Sequence, residues 1–204
     1  MPGSSLGETE MLPLLLEKVK SLGHKVFDGP EAYDLNIIGV RNSNPKANLF
    51  DDFLCCAYRE KEDGPWVVKY WRATTDPGKY YLQNPLDSGG TAVIVEGQYR
   101  GAYGLGTHAG RYEALCQING EIKVYRDGNR DDTIDRDPGT IQEGYFGCNI
   151  HKAGANSLNV DKWSAGCQVF AREEDFNELI SLCKKQLQEH PSWLPTFTYT
   201  LIKE

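Results

Sequence analysis

Apolar residues recur at every third or fourth position near the start of the chain and again after Phe170. Between Leu12 and Leu22 this spacing predicts a short amphipathic helix, which ends at Gly23. After Phe170 the same period predicts a second helix whose acidic first turn suits the positive end of a helix dipole. The β-branched and aromatic residues from Thr196 to Ile202, which follow Pro195, predict a terminal strand.

The long middle of the chain, from Leu35 to about Ile150, consists of short β-branched and aromatic runs separated by turn residues. These runs are LNIIGVR, FLCCAYRE, WVVKYWRATT, GKYYLQ, TAVIVEG, YEALCQI and IKVYRD. The segments from Lys61 to Gly64 and at Asn119-Gly120 predict two hairpins. The pattern is typical of a mainly β domain with antiparallel strands. Within FLCCAYRE, alternation predicts that one of the two adjacent cysteines is buried and the other faces outward.

The size and composition of the chain predict one globular domain. It has 204 residues, of which 40% are hydrophobic and 25% are charged. Residues 1–10 are small and polar, and they predict a disordered tail. We therefore expect a single domain over residues 11–204.

The charge balance argues against a nucleic acid partner. The chain has 22 basic and 29 acidic residues, and its net charge of -7 has the wrong sign for binding phosphates. No apolar run is long enough for a membrane span, and no signal peptide is visible, so we expect a soluble protein whose localisation stays open. The six cysteines lack a CxxC pair or regular spacing, which predicts mostly free thiols.

One stretch, residues 148–170, has the residues of a nucleophilic site. It reads CNIHKAGANSLNVDKWSAGCQVF, so that a short strand delivers His151 and a glycine precedes Cys167. Gly166 permits a tight turn in which backbone N–H groups face the thiol. A thiol that attacks a carbonyl needs an imidazole to take its proton and amides to hold the oxyanion. The stretch therefore predicts a cysteine nucleophile with a histidine base.

The same stretch resembles the L,D-transpeptidases with the YkuD catalytic domain. Their signature is a strand that ends in His-Gly, a loop, and Ser-His-Gly-Cys followed by Arg. Ile150-His151 and Ser164-Ala165-Gly166-Cys167 match it here, and Ala73 to Tyr81 resembles the family's Thr-Pro-x-Gly-x-Phe segment. The resemblance spans about residues 50–202, which we expect to be the core of the catalytic domain.

The resemblance implies a fold, an activity and a substrate. The implied fold is a β-sandwich with a short N-terminal helix and one helix after the catalytic cysteine. Cys167 would be the acyl-forming nucleophile, His151 its base, and the Gly166 and Cys167 amides the oxyanion hole. Such enzymes cut peptidoglycan stem peptides through a thioester and pass the acyl group to an amine or to water, with no cofactor required for catalysis. They act at the cell wall.

This chain departs from the family signature at three positions. Ala165 replaces the second His, Lys152 follows the first His, and Val169 occupies the place of the family Arg. The glycine-rich turn over residues 104–111 contains both missing residue types, which predicts that they line the same pocket and that its arginine pairs with a substrate carboxylate. The predicted substrate-binding set is His108, Arg111, Lys152, Trp163 and Ser164. Of these, Ser164 also suits a turn-forming hydroxyl, and Trp163 a packing wall.

An acidic loop suggests a structural Ca²⁺ site. The spacing of its oxygens follows the first part of a calcium loop, with Asp127, Asn129, Asp131, the Thr133 carbonyl and Asp135 as ligands. Asp132 replaces the usual turn glycine, and Pro138 stands where a bidentate Glu is expected. A solvated acidic loop is the alternative.

Two other functions compete with the enzyme. One is a non-catalytic module that binds peptidoglycan or a protein partner through the surface of His108 and His151. The other is a calcium-stabilised structural protein in which Cys167 is buried. The sequence leaves open the acyl acceptor, the donor peptide and the oligomeric state. It also fits a bacterial enzyme, a phage protein or a secreted effector.

Overall fold

The structure of the protein is a computed structural model that describes residues 11–44 and 46–204. The predicted tail, residues 1–10, lies outside the described residues. The helices are α1 (Leu14–Ser21), α2 (Lys79–Gln83) and α3 (Glu173–Glu189). The strands are β1 (Asn36–Arg41), β2 (Asp52–Arg59), β3 (Trp66–Thr74), β4 (Thr91–Ile94), β5 (Gly97–His108), β6 (Tyr112–Gln117), β7 (Ile122–Asp127), β8 (Gln142–Gly144), β9 (Ile150–Lys152), β10 (Gln168–Phe170) and β11 (Phe197–Lys203).

Most of the strands form a closed barrel. Its order is β1-β11-β5-β6-β9-β10-β3-β2, and β4, β7 and β8 form a separate sheet. The pairs β1 with β11 and β9 with β10 are parallel, whereas the other pairs are antiparallel. The prediction of a mainly β domain is confirmed. The expected sandwich differs from the barrel, in which every strand has a partner on both sides and no sheet edge is left open.

Both faces of the barrel wall are buried around β2. Cys56 belongs to the main core cluster together with residues of α3, whereas Cys55 packs with Leu16 and Val19 of α1 in a second cluster. Both cysteines are fully buried. The prediction that one of them faces outward is wrong, because α1 covers the outer face of the strand. The amphipathic spacing that predicted α1 and α3 is explained by these two contacts.

The two predicted hairpins have different outcomes. The turn from Lys61 to Gly64 joins β2 and β3, which pair in register from Asp52 with Ala73 to Arg59 with Trp66. The turn at Asn119-Gly120 does not close a hairpin, because β6 pairs with β5 and β9 whereas β7 pairs with β4 and β8. This turn instead carries the chain from the barrel to the three-stranded sheet.

The run GKYYLQ, predicted as a strand, is the short helix α2. It buries Leu82 and leaves Tyr80 exposed. A Cβ on Gly78 would lie 2.1 Å from the Asp161 carbonyl oxygen, and the Gly78 N–H donates to the Ser164 carbonyl at 2.9 Å. The loop before Cys167 therefore packs directly against the start of this helix.

The helices of the described residues are short. They contain 8, 5 and 17 residues. None of them has both the length and the apolar character that a membrane crossing requires.

Candidate active site

Two adjacent parallel strands hold the predicted nucleophile and base. In the register of β9 and β10, His151 lies opposite Val169, and Ile150 lies opposite Gln168. Paired residues share a face, and side chains alternate along a strand, so Cys167 lies on the same outer face as His151. Consistent with this, Cys167 packs against the outer cluster that contains Val169. Ile150 lies on the other face, in the barrel core.

A cavity of about 590 Å³ opens over this face. Both Cys167 and His151 line it, so the structure brings the predicted nucleophile and base to one site. Residues from the barrel, from α2 and from the three-stranded sheet contribute to the wall. Its lining includes Tyr81, Ala92, His108, Arg126, Phe146, Gly147, Lys162 and Trp163.

His151 is buried and held as a neutral imidazole. Its Nδ1 lies 2.8 Å from the Lys152 carbonyl oxygen and 3.2 Å from the Tyr112 hydroxyl. A carbonyl only accepts, which assigns the ring proton to Nδ1 and a free lone pair to Nε2. Nε2 has no hydrogen-bond partner among the described residues. Burial and, secondarily, His108 lower the pKa of His151 to about 4, and the Lys152 and Trp163 backbones oppose this decrease. The imidazole is therefore neutral at neutral pH, with an unprotonated Nε2.

Cys167 carries a thiol at rest. It is a free cysteine that keeps part of its surface in the cavity, and its Sγ lies 3.6 Å from the Gly147 carbonyl oxygen. Burial raises the pKa of Cys167 to about 11, and the Asn149 backbone N–H opposes that rise. The thiol is therefore protonated at neutral pH, and attack on a carbonyl requires a base to remove its proton.

A tight turn sets the position of Cys167. Gly166 has φ +121°, and a Cβ there would lie 2.6 Å from the Ala92 carbonyl oxygen. The fully buried Ser164 accepts from the Gly166 N–H at 3.2 Å and donates to the Cys167 carbonyl at 2.7 Å. Ser164 is thus the turn-forming hydroxyl and lies away from any substrate surface.

The same turn changes the expected oxyanion hole. Since the Gly166 N–H is bonded to Ser164, it is not free to serve as one of the two predicted donors. The Cys167 N–H has no hydrogen-bond partner in the described part of the chain. The turn therefore offers one unpaired backbone donor beside the thiol.

His108 and Arg111 remain neighbours, since the Arg111 N–H donates to the His108 carbonyl at 2.9 Å, but only His108 lines the cavity. His108 lines the cavity and stacks on His151. The Asn149 side-chain nitrogen lies 3.1 Å from His108 Nδ1. Arg111 is exposed and is not among the cavity-lining residues, so the prediction that it lines this pocket is wrong. The physical reason is that residues 104–108 continue β5, so that the turn is confined to Ala109 and Gly110 and Arg111 follows it with an exposed side chain.

Lys152 and Trp163 also have distinct positions. The Lys152 ammonium pairs with Glu173 and lies 5.1 Å from the Tyr112 ring centroid. Lys152 is not a cavity-lining residue, because this ion pair with α3 holds its side chain elsewhere. Trp163 lines the cavity and is 44% exposed, so it forms a wall that a ligand can reach.

The sequence analysis missed a cavity-lining cation. Arg126 belongs to β7 of the three-stranded sheet, and its run IKVYRD carries no motif. Only the packing of that sheet against the barrel brings it to the site. A local signal was therefore lacking, and the sequence gives no indication of this contact.

The acidic loop is organised by hydrogen bonds. The Asn129 amide nitrogen lies 3.0 Å from an Asp131 carboxylate oxygen and 2.7 Å from one of Asp135. Asp131 accepts the Thr133 N–H, and Asp127 accepts the Asp135 N–H. Within residues 11–44 and 46–204, no group of three or more His, Cys, Asp and Glu side chains has an arrangement suited to a metal ion. Calcium binding stays a prediction.

We compared the chain with known protein families, curated proteins and solved structures. No family model, curated protein or solved structure matches the chain.

Proposed function

We propose that the protein is a cysteine-dependent acyltransferase or peptidase that resembles the L,D-transpeptidases. Cys167 is the nucleophile and His151 is its general base. One observation carries the proposal: the buried Nε2 of His151 has no partner among the described residues and shares a cavity and a strand face with the Cys167 thiol. A buried acceptor without a donor is costly unless a reacting group supplies one.

In the proposed first half-reaction, the Cys167 sulfur attacks the carbonyl carbon of a peptide bond while His151 Nε2 takes the thiol proton. The carbonyl oxygen becomes an oxyanion that accepts a hydrogen bond from the Cys167 N–H. Collapse of this intermediate breaks the C–N bond, and the His151 proton goes to the departing amine. A thioester on Cys167 remains.

In the second half-reaction, an amine or water attacks the thioester carbonyl. His151 takes the proton of that attacker, and the C–S bond breaks. The proton then returns to the Cys167 thiolate, which restores the resting thiol. Transfer to an amine gives an exchanged or cross-linked peptide, and transfer to water gives hydrolysis.

The substrate class in this proposal is the peptidoglycan stem peptide. Its support is the resemblance of residues 148–170 to the family signature, with a helix and a strand after the cysteine in the family's order. Reaction at such a substrate would place the protein at the cell wall. The exposed Trp163 and the cavity-lining Tyr81 and Phe146 offer flat apolar surfaces to a peptide.

A second candidate is a non-catalytic module that binds the same kind of peptide in the same cavity. The specific observation that favours it is the raised pKa of the Cys167 thiol. Activated cysteines in enzymes usually have a lowered pKa. The two candidates differ in whether a covalent intermediate forms.

The deciding experiment is incubation with purified muropeptides, followed by mass analysis of both the peptides and the intact protein. We expect cleaved or exchanged peptides and an acyl adduct at Cys167 in the wild-type protein. Cys167→Ala and His151→Ala should remove both signals, whereas the control His24→Ala should retain them. Binding of the peptides without any adduct or product would overturn the enzyme and leave the binding module.

A further inference from the structure

A cation from the second sheet is fixed in the cavity wall. The Arg126 Nε donates to the Gln142 side-chain oxygen at 2.9 Å, and Nη1 donates to the Gly90 carbonyl at 3.2 Å. The guanidinium carbon lies 4.9 Å from the Phe146 ring centroid. These contacts hold the guanidinium in one orientation, which reduces the entropy lost when it binds a ligand.

The charge of Arg126 is poorly compensated. Gln142 and the Gly90 carbonyl are neutral acceptors. The nearest paired carboxylate, Asp87, lies 3.7 Å from Nη2, and its side chain is 52% exposed whereas that of Arg126 is only 10% exposed. A contact that long, to a carboxylate in water, contributes little. The Nη2 group therefore retains donor capacity.

Arg126 lines the same cavity as Cys167. The buried Cys148 lies close to each of them. Burial is the main cause of the raised pKa of the Cys148 thiol, to which Cys167 adds and which Arg126 opposes. The only carboxylate among the cavity-lining residues is Asp87. The wall beside the thiol thus presents positive charge to whatever occupies the cavity.

We propose that Arg126 binds a free carboxylate of the acyl donor and makes the site selective for acidic peptides. The inference rests on the proposed function and names its substrate class: a peptide with a free carboxylate near the bond that Cys167 attacks. The Nη2 group of Arg126, whose Nε and Nη1 are held by Gln142 and Gly90, supplies a charge-assisted hydrogen bond to that carboxylate. In this arrangement Asp87 competes with the substrate for the guanidinium.

The test compares two donors that differ only in the carboxylate, as the free acid and as the amide. A lost charge-assisted hydrogen bond should lower kcat/KM of Arg126→Gln for the acid by about 10- to 100-fold, with a change of about threefold or less for the amide. Arg126→Lys should recover part of this loss, because the charge remains while the contacts that orient the guanidinium are lost. Arg100→Gln, on the exposed part of β5, is the matched control and should change neither donor.

Asp87→Asn gives a prediction of opposite sign. Removal of this carboxylate should raise kcat/KM for the acid donor by about two- to threefold and leave the amide donor unchanged. Equal losses for acid and amide donors in Arg126→Gln, with melting temperature preserved, would overturn the proposal. A larger effect of Arg111→Gln than of Arg126→Gln on the acid donor would overturn it as well.

Calorimetric binding of the same two peptides separates this inference from the proposed function. If no peptide is turned over, the proposed enzyme fails, but preferential binding of the acid that disappears in Arg126→Gln still supports carboxylate recognition. If turnover occurs and the acid has no advantage in binding or kcat/KM, the enzyme stands and the role of Arg126 falls.

Discussion

The imidazole rings of His108 and His151 stack face to face, with centroids 4.0 Å apart and planes 19° from parallel. Two rings this close repel each other if both are protonated, and both pKa values are lowered. The largest cause at each ring is burial, followed by the Arg111 charge at His108 and by His108 at His151. His108 thus helps to keep the His151 lone pair unprotonated. Ala165, which stands where the family motif has its second histidine, has no side chain that could do this.

This pair predicts a pH-dependent stability. The pKa of His151 is about 4 in the fold and ordinarily 6.5, so between these values the unfolded chain binds more protons than the folded protein. Stability is therefore complete above pH 6.5 and is lost as the pH falls toward 4. At about 1.4 kcal/mol per pH unit, His151 accounts for about 3 kcal/mol of this loss.

Urea unfolding of the wild-type protein and of His151→Gln between pH 4 and pH 7 measures this effect. The variant should show a smaller decrease in unfolding free energy over that range. His24→Gln is the control, because His24 lies next to α1, far from the stacked rings in the sequence and outside their cavity. Identical slopes for the wild-type protein and His151→Gln would contradict a neutral, buried imidazole.

Thiol reactivity should rise steeply with pH. Cys167 is the cysteine with partial exposure, and the other five are buried, so iodoacetamide should label Cys167 first in the native protein. Because burial raises the pKa of Cys167 to about 11, its alkylation rate should increase about tenfold per pH unit from 7 to 10. Peptide mass mapping of timed reactions gives the rate. A plateau near pH 7 would show a pre-formed thiolate.

Gly166→Ala should disrupt the turn that positions Cys167. The φ of +121° and a contact of 2.6 Å with the Ala92 carbonyl oxygen leave no room for a methyl group. We expect a loss of about 3 kcal/mol in unfolding free energy, together with loss of acylation. Gly23→Ala, at φ +81° with no atom within 4 Å, should lose only about 1 kcal/mol and retain acylation.

Calcium should stabilise the protein if the acidic loop binds it as the sequence predicts. The carboxylates of Asp131 and Asp135 meet at the Asn129 amide, and one oxygen of the buried Asp127 has no hydrogen-bond partner among the described residues. A site with millimolar affinity gives about 1 kcal/mol at 10 mM Ca²⁺, which should raise the melting temperature by a few degrees. Asp127→Ala with Asp131→Ala should abolish that rise, and Mg²⁺ should not reproduce it. An unchanged melting temperature with Ca²⁺ and with chelator would leave a solvated loop.

Local sequence patterns predicted the elements better than their pairing. The helices α1 and α3 and most strands follow from periodicity, because each buries one face. The turn at Asn119-Gly120 has hairpin chemistry but connects two different sheets, since pairing depends on partners far away in the chain. The burial of both Cys55 and Cys56 depends on α1, which no pattern within β2 reveals.

In the candidate site, too, the sequence predicts local arrangements but not contacts between distant segments. Cys167 and His151 come together because they lie on neighbouring strands of one continuous stretch, and that local motif predicts their common face. Arg126 arrives from another sheet, and Arg111, which follows a turn two residues long, has an exposed side chain. Which charged side chains reach the cavity is thus a tertiary property, whereas the candidate nucleophile and its candidate base lie within one continuous stretch of sequence.

The parallel pairing of β1 with β11 has a consequence for biosynthesis. β11 lies between β1 and β5, so the ring lacks its closing strand until Lys203 has been made. A nascent chain that has already displayed the segment with His151 and Cys167 outside the ribosome still has open sheet edges on both neighbours of β11. Contacts this distant along the chain form slowly. The ring that supports the candidate active site can therefore close only after β11 has been synthesised.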